Sequence, residues 1–145
     1  MILVTGGTGL VGAHLLLKLA GDEHKVRALY RSEASLSKTK NLFLLNANPN
    51  FDSIEWVKGD ITDIPTLEDA FTGIDTVFHC AAHISFEPKD EDILRKINIE
   101  GTANMVNCAL DFSVKKFCHF SSIAALGDPK VHEPITEETE WNPEI

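Results

Sequence analysis

Short apolar runs alternate along the chain with longer stretches in which apolar residues recur every three or four positions. The short runs predict buried strands, and the longer stretches predict amphipathic helices. We therefore expect strands at residues 2–4, 25–30, 54–57, 76–80 and 116–121. We expect helices at residues 11–20, 31–47, 65–71 and 92–111. Regular alternation of the two elements indicates an α/β fold of three layers, in which helices cover both faces of a parallel sheet.

The longest predicted helix, at residues 92–111, carries an apolar stripe that should pack on the sheet. The stripe consists of Ile93, Ile97, Met105, Val106 and Ala109. After Ser122 the periodic pattern fades into proline turns and an acidic run, which predicts a loop. Because neither a strand nor a helix closes this loop before Ile145, we expect the chain to be the first part of a longer polypeptide.

The length and composition of the chain exclude several classes of protein. With 145 residues and 43% hydrophobic content, the chain is expected to form one domain over residues 1–145. Its formal net charge of -9 argues against binding to nucleic acid or to an anionic membrane surface. Cys80, Cys108 and Cys118 are odd in number, widely spaced and without CxxC or Cys/His ligand spacing, and no charged leader or apolar run of about 18 residues is present. We expect a soluble cytoplasmic protein with reduced thiols and no metal site.

The segment between the first predicted strand and the first predicted helix has glycines at positions 6, 9 and 12. Gly6 permits a tight turn, Gly9 allows the backbone to approach a pyrophosphate, and Gly12 allows the helix to pack closely on the strand. The expected phosphate contacts are Gly6, Thr8, Gly9, Leu10, Val11 and Gly12. The alternative is a glycine-rich turn that binds nothing, whereas a P-loop is excluded because no Gly-Lys-Ser/Thr follows. The context predicts a Rossmann-type doubly wound sheet with a dinucleotide site.

The end of the second predicted strand indicates which dinucleotide is expected. An NAD site usually has an acid there, about 20 residues past the glycines, which binds the ribose hydroxyls. This chain instead has Tyr30 and Arg31 at that point, while Asp22 and Glu23 come too early, in the turn before the strand. Arg31, with Lys38 as a second cation, is suited to a 2'-phosphate, which favours NADP(H) over NAD(H). A solvated Arg31 at a strand end is the alternative.

Residues 5–12 read Thr-Gly-Gly-Thr-Gly-Leu-Val-Gly, which has the form TGxxGxxG and is more specific than glycine spacing alone. On this motif and the order of elements, the chain resembles the extended short-chain dehydrogenase/reductase superfamily over essentially all 145 residues. That superfamily contains sugar-nucleotide epimerases, dihydroflavonol reductases and 3β-hydroxysteroid dehydrogenases. Residues 26–31 and 121–127 resemble the last two branches, which implies reduction of a carbonyl on a small-molecule substrate.

The resemblance implies further cofactor contacts after the third and fourth strands. Asp60 and Ile61 match the acid and apolar pair that receives the adenine ring. Ala81 and Ala82, followed by His83, match the stretch of small residues over which the cofactor passes. On the residues alone, Asp60 could equally cap a loop and the alanines could simply be packed.

Two further matches lie in the second half of the chain. Asn98, in the segment Asn-Ile-Glu-Gly-Thr, matches a helix residue that ties neighbouring strand ends together around the site. Ser122 matches the serine that hydrogen-bonds the reacting oxygen of the substrate, so it is the expected catalytic residue, with Ser121 as its neighbour beside the cofactor. A solvated Asn98, and serines that only satisfy backbone groups, are the alternatives.

The Tyr-x-x-x-Lys acid/base pair of this superfamily does not occur in the sequence, whose single tyrosine is Tyr30. We therefore expect this chain to be inactive alone. In a longer parent enzyme, the resemblance implies hydride transfer between NADP(H) and a carbonyl or alcohol, and a homodimer. A nucleotide-sugar epimerase or dehydratase is the alternative enzyme, and a non-catalytic NADP-sensing protein is the alternative of another class.

Overall fold

The computed structural model describes residues 1–21, 23–126 and 134–139. The strands are β1 (Ile2–Thr5), β2 (Val26–Tyr30), β3 (Glu55–Lys58), β4 (Thr76–His79) and β5 (Lys116–His119). The helices are α1 (Leu10–Leu19), α2 (Glu33–Leu45), α3 (Ile64–Phe71), α4 (Glu91–Leu94) and α5 (Thr102–Asp111). A π-helical segment, Arg95–Gly101, joins α4 to α5, and short 3-10 turns lie at Pro49–Ser53, Pro88–Asp90 and Ile123–Leu126. Every predicted strand and helix is present within two residues of its predicted bounds, except that the helix predicted at residues 92–111 is divided into α4, the π-helical segment and α5.

The five strands form one parallel sheet in the order β3-β2-β1-β4-β5. β1 lies in the centre, where Ile2 pairs with Val26 of β2 on one side and with Thr76 of β4 on the other. The chain thus winds outward in both directions from β1, which opens a crevice beyond the carboxyl ends of β1 and β4. This topology confirms the predicted Rossmann-type doubly wound sheet, and the crevice is where a ligand site is expected.

Two hydrophobic layers hold helices on opposite faces of the sheet. On one face, Leu16 of α1 and Phe43 of α2 pack with Val4. On the other face, Phe71 of α3 and Met105 of α5 pack with Leu3. Because Leu3 and Val4 are successive residues of β1, their side chains point to opposite faces and anchor both layers. Burial of each such side chain is worth about 1.5–3 kcal/mol.

Arg27, in the middle of β2, is buried despite its charge. Its guanidinium donates hydrogen bonds to the carbonyl oxygens of Ala70 (2.7 Å) and Thr72 (2.8 Å), at the carboxyl end of α3. Its other side pairs with the Glu55 carboxylate of β3 at 3.0 Å. The cation therefore satisfies carbonyls that lack helical partners and lies at the negative end of the helix dipole.

The buried face of the helical stretch from Glu91 to Asp111 differs from the predicted stripe. Ile93 and Val106, which were expected to pack, are 44% and 40% exposed. The buried positions are Gly101, Met105, Cys108 and Ala109. Met105 and Ala109 are thus buried as expected, and Ile97 packs against the same core. Within α5, Met105, Cys108 and Ala109 follow regular helical spacing and form the face on the sheet, so Val106, one position after Met105, lies to the side of that face.

Parts of the predicted loop after Ser122, at residues 127–133 and 140–145, lie outside the described residues, as does Asp22. Within residues 1–21, 23–126 and 134–139, none of the helices combines the length and apolar composition that crossing a bilayer requires.

Candidate nucleotide-binding site

The turn between β1 and α1 is built on glycines whose roles differ. Gly6 has a φ of +69°, and a Cβ on it would lie 2.6 Å from the backbone nitrogen of Ala81. A Cβ on Gly12 would collide with the carbonyl of Gly6. A Cβ on Gly9 would meet the Gly6 oxygen at 3.3 Å and otherwise open space. The fold therefore requires glycine at positions 6 and 12, whereas the space over Gly9 is open to a ligand.

The amino end of α1 follows this turn and carries amides outside the helical hydrogen-bond pattern. The first intrahelical bond runs from the Ala13 amide to the Gly9 oxygen at 2.9 Å, so the amides of Leu10, Val11 and Gly12 precede it. The first turn of α1 contains no acidic side chain. These amides and the helix dipole give the turn a positive electrostatic potential that suits an anionic diphosphate.

A cavity of about 330 Å3 extends from the glycine turn across the carboxyl ends of β1, β2, β3 and β4. The predicted cofactor residues that line it are Gly6, Thr8, Gly9, Tyr30, Arg31, Lys38, Asp60, Ile61, Ala81 and Ala82. It is also lined by Thr5, Leu29, Ser32, Ser35, Gly59, Cys80 and Ile97. The volume is at the lower end of the range for small-molecule sites, about 300–1,000 Å3.

The remaining predicted site residues lie outside this cavity. They are Leu10, Val11, Gly12, His83, Asn98, Ser121 and Ser122. Leu10 and Val11 are 78% and 51% exposed, and their expected contribution is through the backbone amides at the start of α1. Ser121 and Ser122 follow β5 and are exposed.

One wall of the cavity, here called the β2 side, consists of Tyr30, Arg31, Ser32, Ser35 and Lys38. It runs from the end of β2 into the first turns of α2. In the part of the chain that the structure describes, no carboxylate lies within ion-pair distance of Arg31 or Lys38. Both side chains are exposed, so their positive charges are available to an anionic ligand.

Asp60 lines the cavity after β3. Its Oδ1 accepts hydrogen bonds from the amide of Thr62 (2.9 Å) and from the hydroxyl of the same residue (2.8 Å). The amide of Asp60 in turn donates to the Thr66 hydroxyl at 3.1 Å. One carboxylate oxygen thus organises the turn, while the residue still faces the cavity.

The opposite wall, here called the β4 side, consists of Cys80, Ala81, Ala82 and Ile97. It is supported by His79, the last residue of β4, which is fully buried. The Nδ1 atom of His79 lies 2.7 Å from the Thr5 hydroxyl, and its Nε2 atom lies 3.1 Å from the Thr102 hydroxyl. Thr5 also accepts a hydrogen bond from the Ala81 amide at 3.3 Å. One imidazole therefore links β1, β4 and α5 beneath the cavity.

The environment of His79 favours its neutral form. Burial, together with the stacked ring of His119 at 5.4 Å, lowers the pKa of His79 to about 4. Next to it, burial and the nearby Cys118 raise the pKa of the Cys80 thiol to about 11. The β4 side is therefore uncharged at neutral pH, unlike the cationic β2 side.

Asn98 supports the loop after β4 from within the π-helical segment. Its Oδ1 accepts from the His83 amide at 2.8 Å, and its Nδ2 donates to the His83 oxygen at 2.8 Å. Both backbone groups of one residue are thus paired by one amide side chain. Asn98 therefore fixes the loop after β4, and its role as a tie between strand ends stays a prediction; His83 itself does not line the cavity.

Three cavity residues, Ser32, Ser35 and Ile97, were not expected from the sequence to contact the cofactor. Ser32 caps the start of α2 and Ser35 lies in its first turn, and the first turn of a helix that follows a strand lies at the same sheet edge as the strand end. Their position directly after β2 could therefore have predicted that both serines lie beside the cofactor. Ile97 was expected only as part of the apolar stripe on the sheet, and its contact with the cavity depends on how the π-helical segment packs.

The crevice, the glycine turn and the cavity together define a Rossmann-type nucleotide-binding fold. The chain belongs to the NAD dependent epimerase/dehydratase family, whose pattern it matches over residues 2–144. A putative dihydroflavonol 4-reductase of Synechocystis sp. is 37% identical over 124 residues, which are 86% of this chain and 33% of that protein. The dihydroflavonol 4-reductase of Callistephus chinensis is 32% identical over 144 residues, covering 97% of this chain and 39% of that protein.

Solved structures lead to the same family. A UDP-glucose 4-epimerase from Bifidobacterium longum, solved with NAD+ and UDP, has a TM-score of 0.79 at 25% identity and covers 98% of this chain. A short-chain dehydrogenase/reductase superfamily protein from Agrobacterium tumefaciens, solved with bound NAD, has a TM-score of 0.77 at 28% identity and covers 99% of this chain. The chain spans 42% and 39% of those two proteins. The predicted superfamily is confirmed.

Proposed function

We propose that this chain forms the NADP(H)-binding part of a reductase that transfers hydride between the cofactor and a carbonyl or alcohol carbon of a small molecule. The observation that carries the proposal is one cavity that has the open glycine turn at one point and, on the β2 side, two cations, Arg31 and Lys38, without an ion-pair partner among the described residues. A diphosphate needs the first feature, and a 2'-phosphate needs the second.

The cavity fits a dinucleotide on the chemistry of its lining. The side-chain-free surface over Gly9 would hold the pyrophosphate against the amides of Leu10 and Val11. Arg31 and Lys38, with the hydroxyls of Ser32 and Ser35 nearby, would hold the 2'-phosphate, and Asp60 with Ile61 would border the adenine ring.

The β4 side would take the nicotinamide half of the cofactor. Ala81 and Ala82 present little side-chain bulk there, and the neutral Cys80 and His79 introduce no charge. When bound, the nicotinamide supplies the hydride chemistry. The chain's own contribution is to bind and orient the cofactor, and in the parent enzyme Ser122 would orient the reacting oxygen of the substrate. Because the only tyrosine, Tyr30, lies on the β2 side, we expect no turnover from residues 1–145 alone.

The cofactor preference is tested by titrating the protein with NADPH and with NADH, followed by calorimetry, before and after Arg31→Ala. Loss of a charge-assisted pair with the 2'-phosphate should weaken NADPH binding about 10- to 100-fold. NADH binding should change less than about threefold, because NADH has no 2'-phosphate. Arg95→Ala is the matched control, since Arg95 is exposed on the helical stretch after β4 and pairs with Glu91.

Two results would contradict the proposal. One is a wild-type protein that binds NADH as tightly as NADPH or more tightly. The other is an Arg31→Ala variant that loses equal affinity for both nucleotides.

A nucleotide-sugar epimerase is the second candidate, and the likeness to the UDP-glucose 4-epimerase of B. longum, at a TM-score of 0.79, favours it. The preference for a carbonyl reductase is supported by Arg31 at the end of β2 and by the 37% identity to the protein named as a putative dihydroflavonol 4-reductase. Tight, selective NADH binding would favour the epimerase. Homodimerisation, a cytoplasmic location and a purely NADP-sensing role stay predictions of the sequence.

A further inference from the structure

The β2 side has one acidic side chain beside it that the proposed NADP(H) site does not use. Glu33 is the first residue of α2 and is exposed, two positions after Arg31. Its Oε1 accepts a hydrogen bond from the Tyr30 hydroxyl at 2.7 Å. Among the described residues, Tyr30 lines the cavity and Glu33 does not. The hydrogen bond therefore holds the carboxylate at the edge of the cavity rather than inside it.

The ring of Tyr30 is itself fixed. It packs edge to face on Trp56 of β3, with ring centroids 6.4 Å apart and an interplanar angle of 78°. Trp56 also contacts the ring of Phe51, at 5.4 Å between centroids. The phenol hydroxyl is thus presented from a packed aromatic cluster, which makes it a fixed donor for a carboxylate on a flexible side chain. The hydrogen bond and the charge of Glu33 raise the pKa of Tyr30, so the phenol keeps the proton that it donates.

The position of Glu33 matters because of the charge that a carboxylate would add to the cavity. An acid near the end of β2 accepts hydrogen bonds from the ribose hydroxyls of NAD, and the same acid repels the 2'-phosphate of NADP. Glu33 is the acidic residue nearest in sequence to Arg31, Ser32 and Ser35. With the Tyr30 hydroxyl removed, its side chain would be free to rotate toward these residues.

We propose that the Tyr30 hydroxyl determines cofactor specificity by holding the Glu33 carboxylate out of the 2' position, which keeps the β2 side cationic and favours the 2'-phosphorylated dinucleotide. Tyr30 acts here as a positioning residue, since it works through Glu33. The inference rests on the proposed NADP(H) site and deepens it.

The test is a double-mutant cycle with Tyr30→Phe, Glu33→Gln and the double variant, in which the dissociation constants of NADPH and NADH are measured by calorimetry. Tyr30→Phe keeps the ring on Trp56 and removes only the hydroxyl. It should lower the preference for NADPH over NADH about tenfold, because the released carboxylate opposes the 2'-phosphate. Glu33→Gln should leave the preference within about threefold of the wild type or raise it, since a neutral amide does not repel the phosphate.

The double variant carries the decisive measurement. If Tyr30 works through Glu33, then removing both groups restores the preference to within about twofold of the Glu33→Gln value. If Tyr30→Phe lowers the preference equally in the Glu33→Gln background, Tyr30 contacts the phosphate directly and the inference is overturned. An unchanged preference in Tyr30→Phe overturns it as well, while leaving the proposed NADP(H) site intact. A wild-type protein that binds neither nucleotide defeats the proposed function, and this inference with it.

A melting temperature for each variant accompanies the titrations. Because both side chains lie near the surface, the three variants should melt within a few degrees of the wild type. A preference that shifts without a shift in melting temperature separates specificity from a general loss of structure.

Discussion

The two walls of the cavity are built in different ways. The β4 side rests on buried or half-buried side chains that are hydrogen-bonded to other elements: His79 to Thr5 and Thr102, and Asn98 to the backbone of His83. The β2 side ends in exposed cations whose side chains have no ionic partner within the described residues. One wall is a fixed, neutral scaffold, and the other is an adjustable, charged surface.

We expect the β4 side to determine mainly the stability of the fold and the β2 side to determine the preference between NADPH and NADH. Substitutions beneath the β4 side remove hydrogen bonds between β1, β4 and α5, so they should lower the free energy of unfolding and weaken all dinucleotides together. Substitutions on the β2 side remove charges that contact solvent, so they should leave the fold unchanged and alter the ratio of affinities for NADPH and NADH. Four measurements test this separation.

The largest expected effect is the acid sensitivity that His79 confers. Its pKa falls from 6.5 to about 4 on folding, so between these pH values the imidazole is protonated in the unfolded chain and neutral in the folded chain. Above pH 6.5 the imidazole is neutral in both states, and His79 does not change the free energy of unfolding. As the pH falls from 6.5 toward 4, the free energy of unfolding decreases by a total on the order of 3 kcal/mol. Denaturant titrations between pH 7 and pH 4 would measure it.

A His79→Gln variant is the control for that measurement, because glutamine hydrogen-bonds without titrating in this range. The variant should be less stable at pH 7 and should lose less further stability on acidification. The paired Asp75 carboxyl, whose pKa is lowered by the chain amino group and Lys115, affects stability only below its usual pKa of 3.8. Equal losses in the variant and the wild type would remove His79 as the cause.

The next effect concerns Asn98. Asn98→Leu removes both partners of the His83 backbone and should lower the free energy of unfolding by about 2 kcal/mol. Because the loop after β4 forms the β4 side of the cavity, the affinities for NADPH and for NADH should decrease by similar factors. Asn48→Leu is the matched control, since Asn48 also makes two hydrogen bonds to backbone groups, the Leu17 oxygen at 3.1 Å and the Asn50 amide at 2.9 Å, and lies outside the cavity. Chemical denaturation gives the first quantity and calorimetry the second; a change confined to one nucleotide would contradict the separation of the two walls.

The same two walls show how far the sequence could predict this site. The glycine turn and Arg31 were predictable because each directly follows a strand whose position is indicated by the local apolar pattern, and Lys38 lies in the helix that comes next. The linkage of Thr5 through His79 to Thr102 was not, because it joins residues 74 and 23 positions apart and exists only once β1, β4 and α5 are packed. The residues of the β2 side are close together in sequence, whereas the contacts that support the β4 side join residues far apart in sequence.

Arg27 and the helical stretch from Glu91 to Asp111 show the same limit within the fold. A strand pattern predicts which elements pair, but the acceptors of the buried Arg27 are carbonyls of α3, more than 40 positions away. The predicted stripe included Ile93 and Val106, but the sheet covers the face that carries Met105, Cys108 and Ala109, so these two residues are exposed. The pattern of apolar and polar residues therefore predicted the order and type of the elements, whereas the orientation of individual side chains depended on tertiary packing.

A smaller effect is expected for Lys38 on the β2 side. Lys38→Gln removes one of two cations and should weaken NADPH binding about three- to fivefold, with NADH unchanged. Stability should stay within about 0.5 kcal/mol of the wild type, because the side chain is exposed. Lys40→Gln on the same helix is the control, since Lys40 lies over the Phe51 ring and outside the cavity. Comparable weakening of NADPH in both variants would assign the effect to general charge rather than to the site.

The smallest effect is expected for Ser122, which is exposed and lies outside the cavity. Ser122→Ala should change the affinity for NADPH less than about twofold and the free energy of unfolding less than about 0.5 kcal/mol. In a parent enzyme that contains the acid/base pair, the same substitution should lower kcat through loss of the hydrogen bond to the reacting oxygen, while the dissociation constant of NADPH stays the same. Weakening of NADPH by more than about fivefold would mean that the segment after β5 reaches the bound cofactor. The cavity would then have a third wall, and the contrast between its scaffold and its charged surface would no longer describe the whole site.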